Sequence, residues 1–492
     1  MPSNRRSRIS LLFWCLAFLL SGCSSTRLTG EKESVAGPRL IPSVSPVPEL
    51  KARLDALLPD SLFPPSNIAM VVLSLEDGRT LYELNPDLLL LPASNQKLFT
   101  SAAALSVLGP EYRFLTTVSV DTTIVPSIFL RGSGDPLLST ADLESLACAV
   151  SAALPHDTSW LLGGDVSRFD DVPWGAGWMW DDEAQPDGMA TTPLSLNGNT
   201  VRVKIRAGNN PGDTLAVTVE PETRYVTIEN RGTTAPDTTG RPLQVTRRLT
   251  EQSNTIIVSG ALRPRDTSSA RVAVREPAWY TLRVFSEHLA RHGIQCTGMV
   301  LDTLPPTARP LSSVYRALDT VVTYMNRTSD NLSAECLLKT MGAFWTGGPG
   351  TAAAGISAMK EFLAGRSLDT NRIVIADGSG VSRYNLSTAR SIAGLLQIMY
   401  RDQRLFPIFH NSLPGPGEHG SLSGRMKGTT AERNLRAKTG TLRGASAFSG
   451  YVTGADGKML AFSVIMQNFH GNLRSYRQVQ DKIGLVLSQW QE

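Results

Sequence analysis

The chain has 492 residues, 41% of them hydrophobic and 19% charged, with a formal net charge of +4 at neutral pH. Residues 1–22 contain Arg5, Arg6 and Arg8 and no acid, so without them the net charge falls from +4 to +1. A nearly neutral chain gives no electrostatic reason to expect a nucleic-acid partner, and the length favours more than one domain.

Arg5, Arg6 and Arg8 precede an apolar run, ISLLFWCLAFLL over residues 9–20. The run is too short to span a bilayer comfortably and reads as the core of an export signal. It ends in Leu20-Ser21-Gly22-Cys23, which resembles the lipobox of bacterial lipoproteins. That resemblance implies removal of residues 1–22, acylation of Cys23 and a membrane anchor. It also implies a place in the cell envelope, periplasmic and on the outer membrane if the envelope is Gram-negative. Residues 23–46 are rich in Ser, Pro and charge and read as a tether. Beyond Cys23 only Cys148, Cys296 and Cys336 remain, which describes neither a disulfide framework nor a zinc site. One disulfide or buried thiols would account for them.

From Asn67 to Leu84 the pattern is strand, Asp-Gly turn, strand. A helix follows, opened by Pro92 and closed by Gly109, with Leu98, Ala102, Leu105 and Leu108 on one stripe. Residues 116–315 alternate in short Thr- and Val-rich segments and read as inserted, mostly β domains, an inner one spanning roughly 161–245. A helix from about Pro277 to His292 closes that region. Helical patterns return in NLSAECLLKTMGAFW and TARSIAGLLQIMY. Three strand-like runs, LRAKTGTL, SAFSGYVTG and KMLAFSVIMQN, precede a last helix. No repeat of solenoid period is visible.

Three motifs carry chemistry. Ser94-Asn95-Gln96-Lys97 opens the Pro92 helix; residues three apart share a face, so the lysine amine can reach the serine oxygen. A partly buried cation beside a helix N-terminus tends to lose its proton, and a neutral lysine is then a general base that needs no histidine. Ser-x-x-Lys recurs by chance, as Ser357-Ala358-Met359-Lys360 shows, but that copy lies inside a predicted helix without free amide donors. Ser329-Asp330-Asn331 offers a hydroxyl and an amide. Lys438-Thr439-Gly440-Thr441 lies on a strand, where a lysine and hydroxyls suit a carboxylate and the glycine admits close approach. Ser195-Leu196-Asn197 and Lys339-Thr340-Met341-Gly342 are near-misses of these two. No Gly-x-Ser-x-Gly elbow occurs.

In this order the three motifs resemble the serine–lysine enzymes that comprise penicillin-binding proteins and serine β-lactamases. From Lys97 to Ser329 is 232 residues, too long for a compact β-lactamase. Local sequences are similar to the class C low-molecular-mass penicillin-binding proteins, the D-Ala-D-Ala carboxypeptidases and endopeptidases of peptidase family S13. The matching stretches include Pro92-Ala93-Ser94, Gly132-Ser133-Gly134-Asp135-Pro136 and Leu194-Ser195-Leu196-Asn197-Gly198-Asn199. Asp377-Gly378-Ser379-Gly380-Val381-Ser382-Arg383-Tyr384-Asn385 and the Lys438 strand followed by Ser449-Gly450-Tyr451 continue the likeness, and Trp174 to Met189 keep it only loosely. The resemblance implies an α+β fold: a five-stranded antiparallel sheet flanked by helices, built from 47–115 and 316–492, with the inserted domains after the nucleophile helix. It implies Ser94 as nucleophile, Lys97 as base and Ser329 as proton relay. Asn331 would hold the peptide, Lys438, Thr439, Gly440 and Thr441 the terminal carboxylate region, and the N–H groups of Ser94 and Thr441 the oxyanion. Arg383 would reach a diaminopimelate carboxylate or form an internal ion pair. The implied partners are peptidoglycan peptides and β-lactams. A β-lactamase, a D-amino-acid esterase or amidase, and a non-catalytic peptidoglycan-binding lipoprotein share these features. No cofactor or metal is expected: His288 and His292 have ligand spacing on a helix, but without an evident third ligand they read as partly exposed helix-end residues.

Overall fold

The structure is a computed structural model that describes residues 47–491 apart from 60–61, 64–65, 180–182, 184 and 249–251. Cys23, the signal and the 23–46 tether lie outside the described residues. The central sheet runs in the order Leu435–Leu442, Ala445–Thr453, Met459–Gln467, Asn67–Ser74, Thr80–Leu84. Every neighbouring pair is antiparallel, so chain from near the start is stitched into chain from the end. The strand Asn67–Ser74 is apolar nearly throughout because both its faces are covered. Ala69, Val71 and Leu73 pack with Leu98, Phe99 and Ala102 of the helix that follows Ser94, Gln96–Val107. Ile68, Met70 and Val72 pack with Ile483 and Leu487 of the terminal helix Leu473–Ser488. Each of these side chains larger than alanine stabilises the fold by roughly 1.5–3 kcal/mol.

The inserted residues leave and re-enter side by side. Strand Arg113–Asp121 pairs antiparallel with Arg309–Ala317, Arg113 opposite Ala317 and Val120 opposite Arg309. These two anchor a second, mixed five-stranded sheet, completed by Ser127–Arg131, Trp160–Asp165 and Cys296–Leu301. Two three-stranded sheets extend from it. The expected helix is present as Pro277–Arg291, and Gly293 at φ 82° ends it. A helix that the alternating pattern did not mark, Thr140–Ala153, packs against it. Its start is written locally: Ser139 and Asp142 form a reciprocal capping box just before the buried Leu143, Leu146, Ala147 and Val150.

At the other end of the insertion, helix Leu318–Thr328 stops at Ser329, whose φ of 63° is left-handed. Asp330 then caps helix Asn331–Thr346 by accepting from the Ser333 N–H at 2.7 Å. The Ser329-Asp330-Asn331 motif is therefore a helix–helix corner, which leaves Ser329 partly exposed and turns Asn331 inward.

Candidate active site

The chain enters the site through a strained turn. Ala93 has φ 47°, in the left-handed region that residues with a Cβ rarely adopt. Ala93–Asn95 form one turn of 3-10 helix before the regular helix Gln96–Val107 begins. Asn95 pins this turn to the edge strand, its Nδ2 donating to the Lys438 carbonyl at 3.0 Å. Gly380 packs so closely beneath that a Cβ there would lie 1.9 Å from the Ala93 carbonyl oxygen. Ser94 stays partly accessible while Asn95, Gln96 and Lys97 are fully buried.

Lys97 Nζ lies 3.1 Å from Ser94 Oγ, 2.6 Å from Asn331 Oδ1 and 2.6 Å from the Ser379 carbonyl. The last two are acceptors, so a neutral amine would spend both N–H groups on them and aim its lone pair at the serine hydroxyl. Burial pushes the Lys97 pKa down to about 8, and the carboxylates of Asp377, Asp330, Glu335 and Asp187 hold it from falling further. Lys438 is also fully buried, and burial together with the charge of Lys97 carries its proton affinity well below a lysine's ordinary value. Its Nζ donates to Ser329 Oγ at 2.9 Å and to the Thr439 carbonyl at 2.8 Å. Ser329 thus receives a hydrogen bond from Lys438 and keeps its own proton free.

Two acids hold the floor. Glu335 accepts from the Gly378 and Ser379 N–H groups at 3.0 and 2.8 Å, fixing the carbonyl that binds Lys97. Burial and the charge of Asp377 raise the Glu335 pKa to about 7. Asp377 accepts from Gly380 N, Ser382 N, Asn385 Nδ2 and Trp178 Nε1. The inserted region closes one wall: Asn331 Nδ2 donates to the Asp187 carbonyl at 2.8 Å. The resulting cavity holds about 380 Å³ and is lined by Ser94, Ser329, Asn331, Gly380, Thr439 and Thr441, with Asp187 and Arg477.

Ser94, Lys97, Ser329, Asn331, Lys438, Thr439, Gly440 and Thr441 are thus brought to one place. Arg383 lies outside the cavity's lining residues; it is exposed and donates to the Arg443 carbonyl at 3.1 Å, and among the described residues it forms no internal ion pair. Ser357 and Lys360 are exposed on helix Ala352–Ala364. Lys339 is paired with Asp170, and Ser195 bonds the Thr192 carbonyl. The three remaining thiols are free, Cys148 exposed and Cys336 buried. His288 corrects its expected exposure: it is 3% exposed, because helix Thr140–Ala153 covers it. Asp187, Glu335 and Arg477 went unmarked in the sequence. Asp377 stood inside a recognised stretch without an assigned role. A larger cavity of about 590 Å³ lies beside Trp174, Glu183 and Arg275 and includes none of the three motifs.

The profile of the D-Ala-D-Ala carboxypeptidase 3 (S13) family matches residues 50–489. The chain belongs to that family. Among its relatives, the D-alanyl-D-alanine carboxypeptidase of Actinomadura sp. (strain R39) is 34% identical over 467 residues, covering 90% of this chain and 85% of that one. D-alanyl-D-alanine carboxypeptidase DacB of Haemophilus influenzae is 24% identical over 421 residues, covering 83% and 87%. The crystal structure of penicillin binding protein 4 from H. influenzae has the same fold, with a TM-score of 0.76 at 24% identity, covering 89% of this chain and 99% of that one.

Gly440 generates a test of how tightly this S13 site is packed. A Cβ at Gly440 would lie 2.9 Å from the Pro92 carbonyl and 3.0 Å from the Ser94 N–H nitrogen. Gly440→Ala should force the edge strand and the nucleophile turn apart. Displacements of that size cost on the order of 10–10²-fold in rate. Stopped-flow labelling of Ser94 by penicillin is the measurement, and a variant as fast as wild type would show that the gap is not needed.

Proposed function

We propose that this chain is a serine-type D-Ala-D-Ala carboxypeptidase or endopeptidase that cleaves D-alanyl bonds of peptidoglycan peptides through an acyl-enzyme on Ser94. The observation that carries the reading is the pair of acceptors, Asn331 Oδ1 and the Ser379 carbonyl, that leave the Lys97 lone pair to Ser94. Ser94 Oγ attacks the D-alanyl carbonyl as its proton passes to neutral Lys97. The oxyanion is received by the N–H groups of Ser94 and Thr441. Ser329 gives its proton to the departing amine and regains one through Lys438, which is made good by the proton Lys97 took from Ser94, so that Lys97 is neutral again. Water then hydrolyses the ester. The three motifs are also those of a β-lactamase, but nothing in the geometry favours that reading.

Penicillin should therefore label Ser94, and Ser94→Ala should not be labelled. The labelling rate should rise with pH through a midpoint at about 8, because the base works only after losing its proton. A folded Lys97→Arg enzyme should lose this limb and about 10²–10⁴-fold in rate. A pH-independent wild-type rate between 6 and 10, or a fast arginine variant, would remove Lys97 from the base role.

The terminal carboxylate needs a charged partner. Lys438 is buried with a depressed proton affinity, whereas the Arg477 guanidinium lines the cavity and donates to Thr441 Oγ1 at 3.2 Å. Arg477 is read as the carboxylate's cation, with Thr439 and Thr441 beside it and exposed Arg383 further out toward a diaminopimelate side chain. Arg477→Ala should raise KM for an acyl-D-Ala-D-Ala peptide by roughly 10-fold or more, the worth of a charge-assisted hydrogen bond, with a smaller change in kcat. An unchanged KM would assign the carboxylate elsewhere.

The envelope location follows from Cys23. On this reading the enzyme is a lipoprotein on the periplasmic side of a membrane. Cys23→Ser should move the protein out of the membrane fraction or leave its signal uncleaved; identical fractionation without lipid on the N-terminal peptide would refute the anchor.

A further inference from the structure

Far along the chain from the three motifs, helices Thr140–Ala153 and Pro277–Arg291 bring four side chains of metal-binding types together. Glu144 and Cys148 stand one turn apart on the first helix; His288 and the capping residue His292 stand one turn apart on the second. One oxygen of Glu144, Cys148 Sγ and one ring nitrogen of His292 all lie within 4.8 Å of one another. We propose that Glu144, Cys148 and His292 form a binding site for a zinc-like divalent cation.

The donors suit the class of ion. A thiolate, an imidazole and a carboxylate are the ligands zinc takes, and around a tetrahedral zinc they sit about 3.3–3.8 Å apart. Cys148 Sγ and His292 Nε2 are 3.5 Å apart already. Glu144 Oε1, 2.6 Å from His292 Nε2, must retreat from it by roughly 0.7 Å. Cys148 is exposed and the Glu144 side chain is 44% exposed, so a fourth position opens to water and the ion has a path in. Binding forms metal–sulfur, metal–nitrogen and metal–oxygen bonds. It releases to solvent the thiol proton of Cys148 and any proton shared by His292 and Glu144.

The surroundings hold these groups in place. His288 is buried and its Nδ1 meets the second Glu144 oxygen, orienting the carboxylate as outer partners of metal ligands do. Among the described residues its Nε2 has no hydrogen-bond partner, so the ring's polar commitment is to Glu144. Ser151 Oγ donates to the His292 carbonyl at 2.8 Å, tying the end of one helix to the other. The pairs spaced four apart make the site compact, since each helix supplies one face.

The test uses the full chain without a histidine tag and zinc or cobalt alone as the probe. Competition with a chromophoric chelator should give one zinc per chain. The cobalt form should show thiolate-to-metal charge-transfer absorption and the d–d bands of a four-coordinate ion. Cys148→Ser should abolish the charge-transfer band, His292→Ala should weaken binding at least as much as loss of an outer partner, and His288→Ala should cost about 10–10²-fold in affinity. Cys148→Ser touches an exposed position, and its penicillin labelling should match wild type, which separates this site from the activity of Ser94. Absence of a saturable site, wild-type affinity in both ligand variants, or a cobalt spectrum without the charge-transfer band would each overturn the proposal.

Discussion

Two lysine amines, Lys97 and Lys438, are buried without access to water inside one site, and much of the catalytic region can be understood from the cost of that arrangement. A desolvated ammonium is expensive and a pair of them more so. The site answers by lowering both proton affinities and by surrounding Lys97 with acids. Those acids do not all touch it. Glu335 acts through the Ser379 carbonyl, and Asp377 through the loop that carries that carbonyl. The result is an amine whose pKa, brought down to about 8, lets it give up its proton near physiological pH.

That requirement explains why the site draws on distant parts of the chain. Lys97 comes from the helix behind the sheet, Lys438 from the edge strand, and Ser329 and Asn331 from a helix–helix corner. Gly380 and Gly440 let backbone come within contact distance of the Ala93–Ser94 turn. Leu435–Leu442 is an edge strand of its sheet; Pro414 and Asn95 take its Ala437 N–H and Lys438 carbonyl, and beyond them Thr439 and Thr441 line the cavity where an extended peptide can add to it. The strain at Ala93 is sustained by the polar pins on either side, Asn95 to the Lys438 carbonyl and Leu91 N–H to Gln467.

The central sheet was legible because period and punctuation agreed: the hairpin over 67–84, the last three strands and the terminal helix were all readable from local pattern. The motif residues were legible because each supplies a rare chemical type at fixed spacing. What escaped was whatever depends on partners far off in sequence. Glu335 looks like any acid on a helix until the Gly378–Ser379 amides arrive. Arg477 sits on an amphipathic helix and declares itself only by facing Thr441. Helix Thr140–Ala153 did carry a local sign, the Ser139–Asp142 box, and was lost among β-like neighbours. With it went the knowledge that His288 would be covered and that Glu144 and Cys148 would meet His292.

The inserted region is more than a tolerated loop. Its ends are zipped as Arg113–Asp121 against Arg309–Ala317, so the sheet need close only a short gap, and closure cost grows slowly with the length between. Yet it returns several polar links to the catalytic layer. Asp170 pairs with Lys339, Trp178 Nε1 donates to Asp377 at 2.9 Å, and the Asp187 carbonyl receives Asn331 Nδ2. The last two reach the residues that position Lys97: Asn331 binds its amine directly, and Asp377 shapes the loop of Ser379. A segment that merely decorated the fold would have no reason to end its contacts there. The geometry makes the insertion a wall of the site, one linked to Lys97 through a single intervening side chain, Asn331.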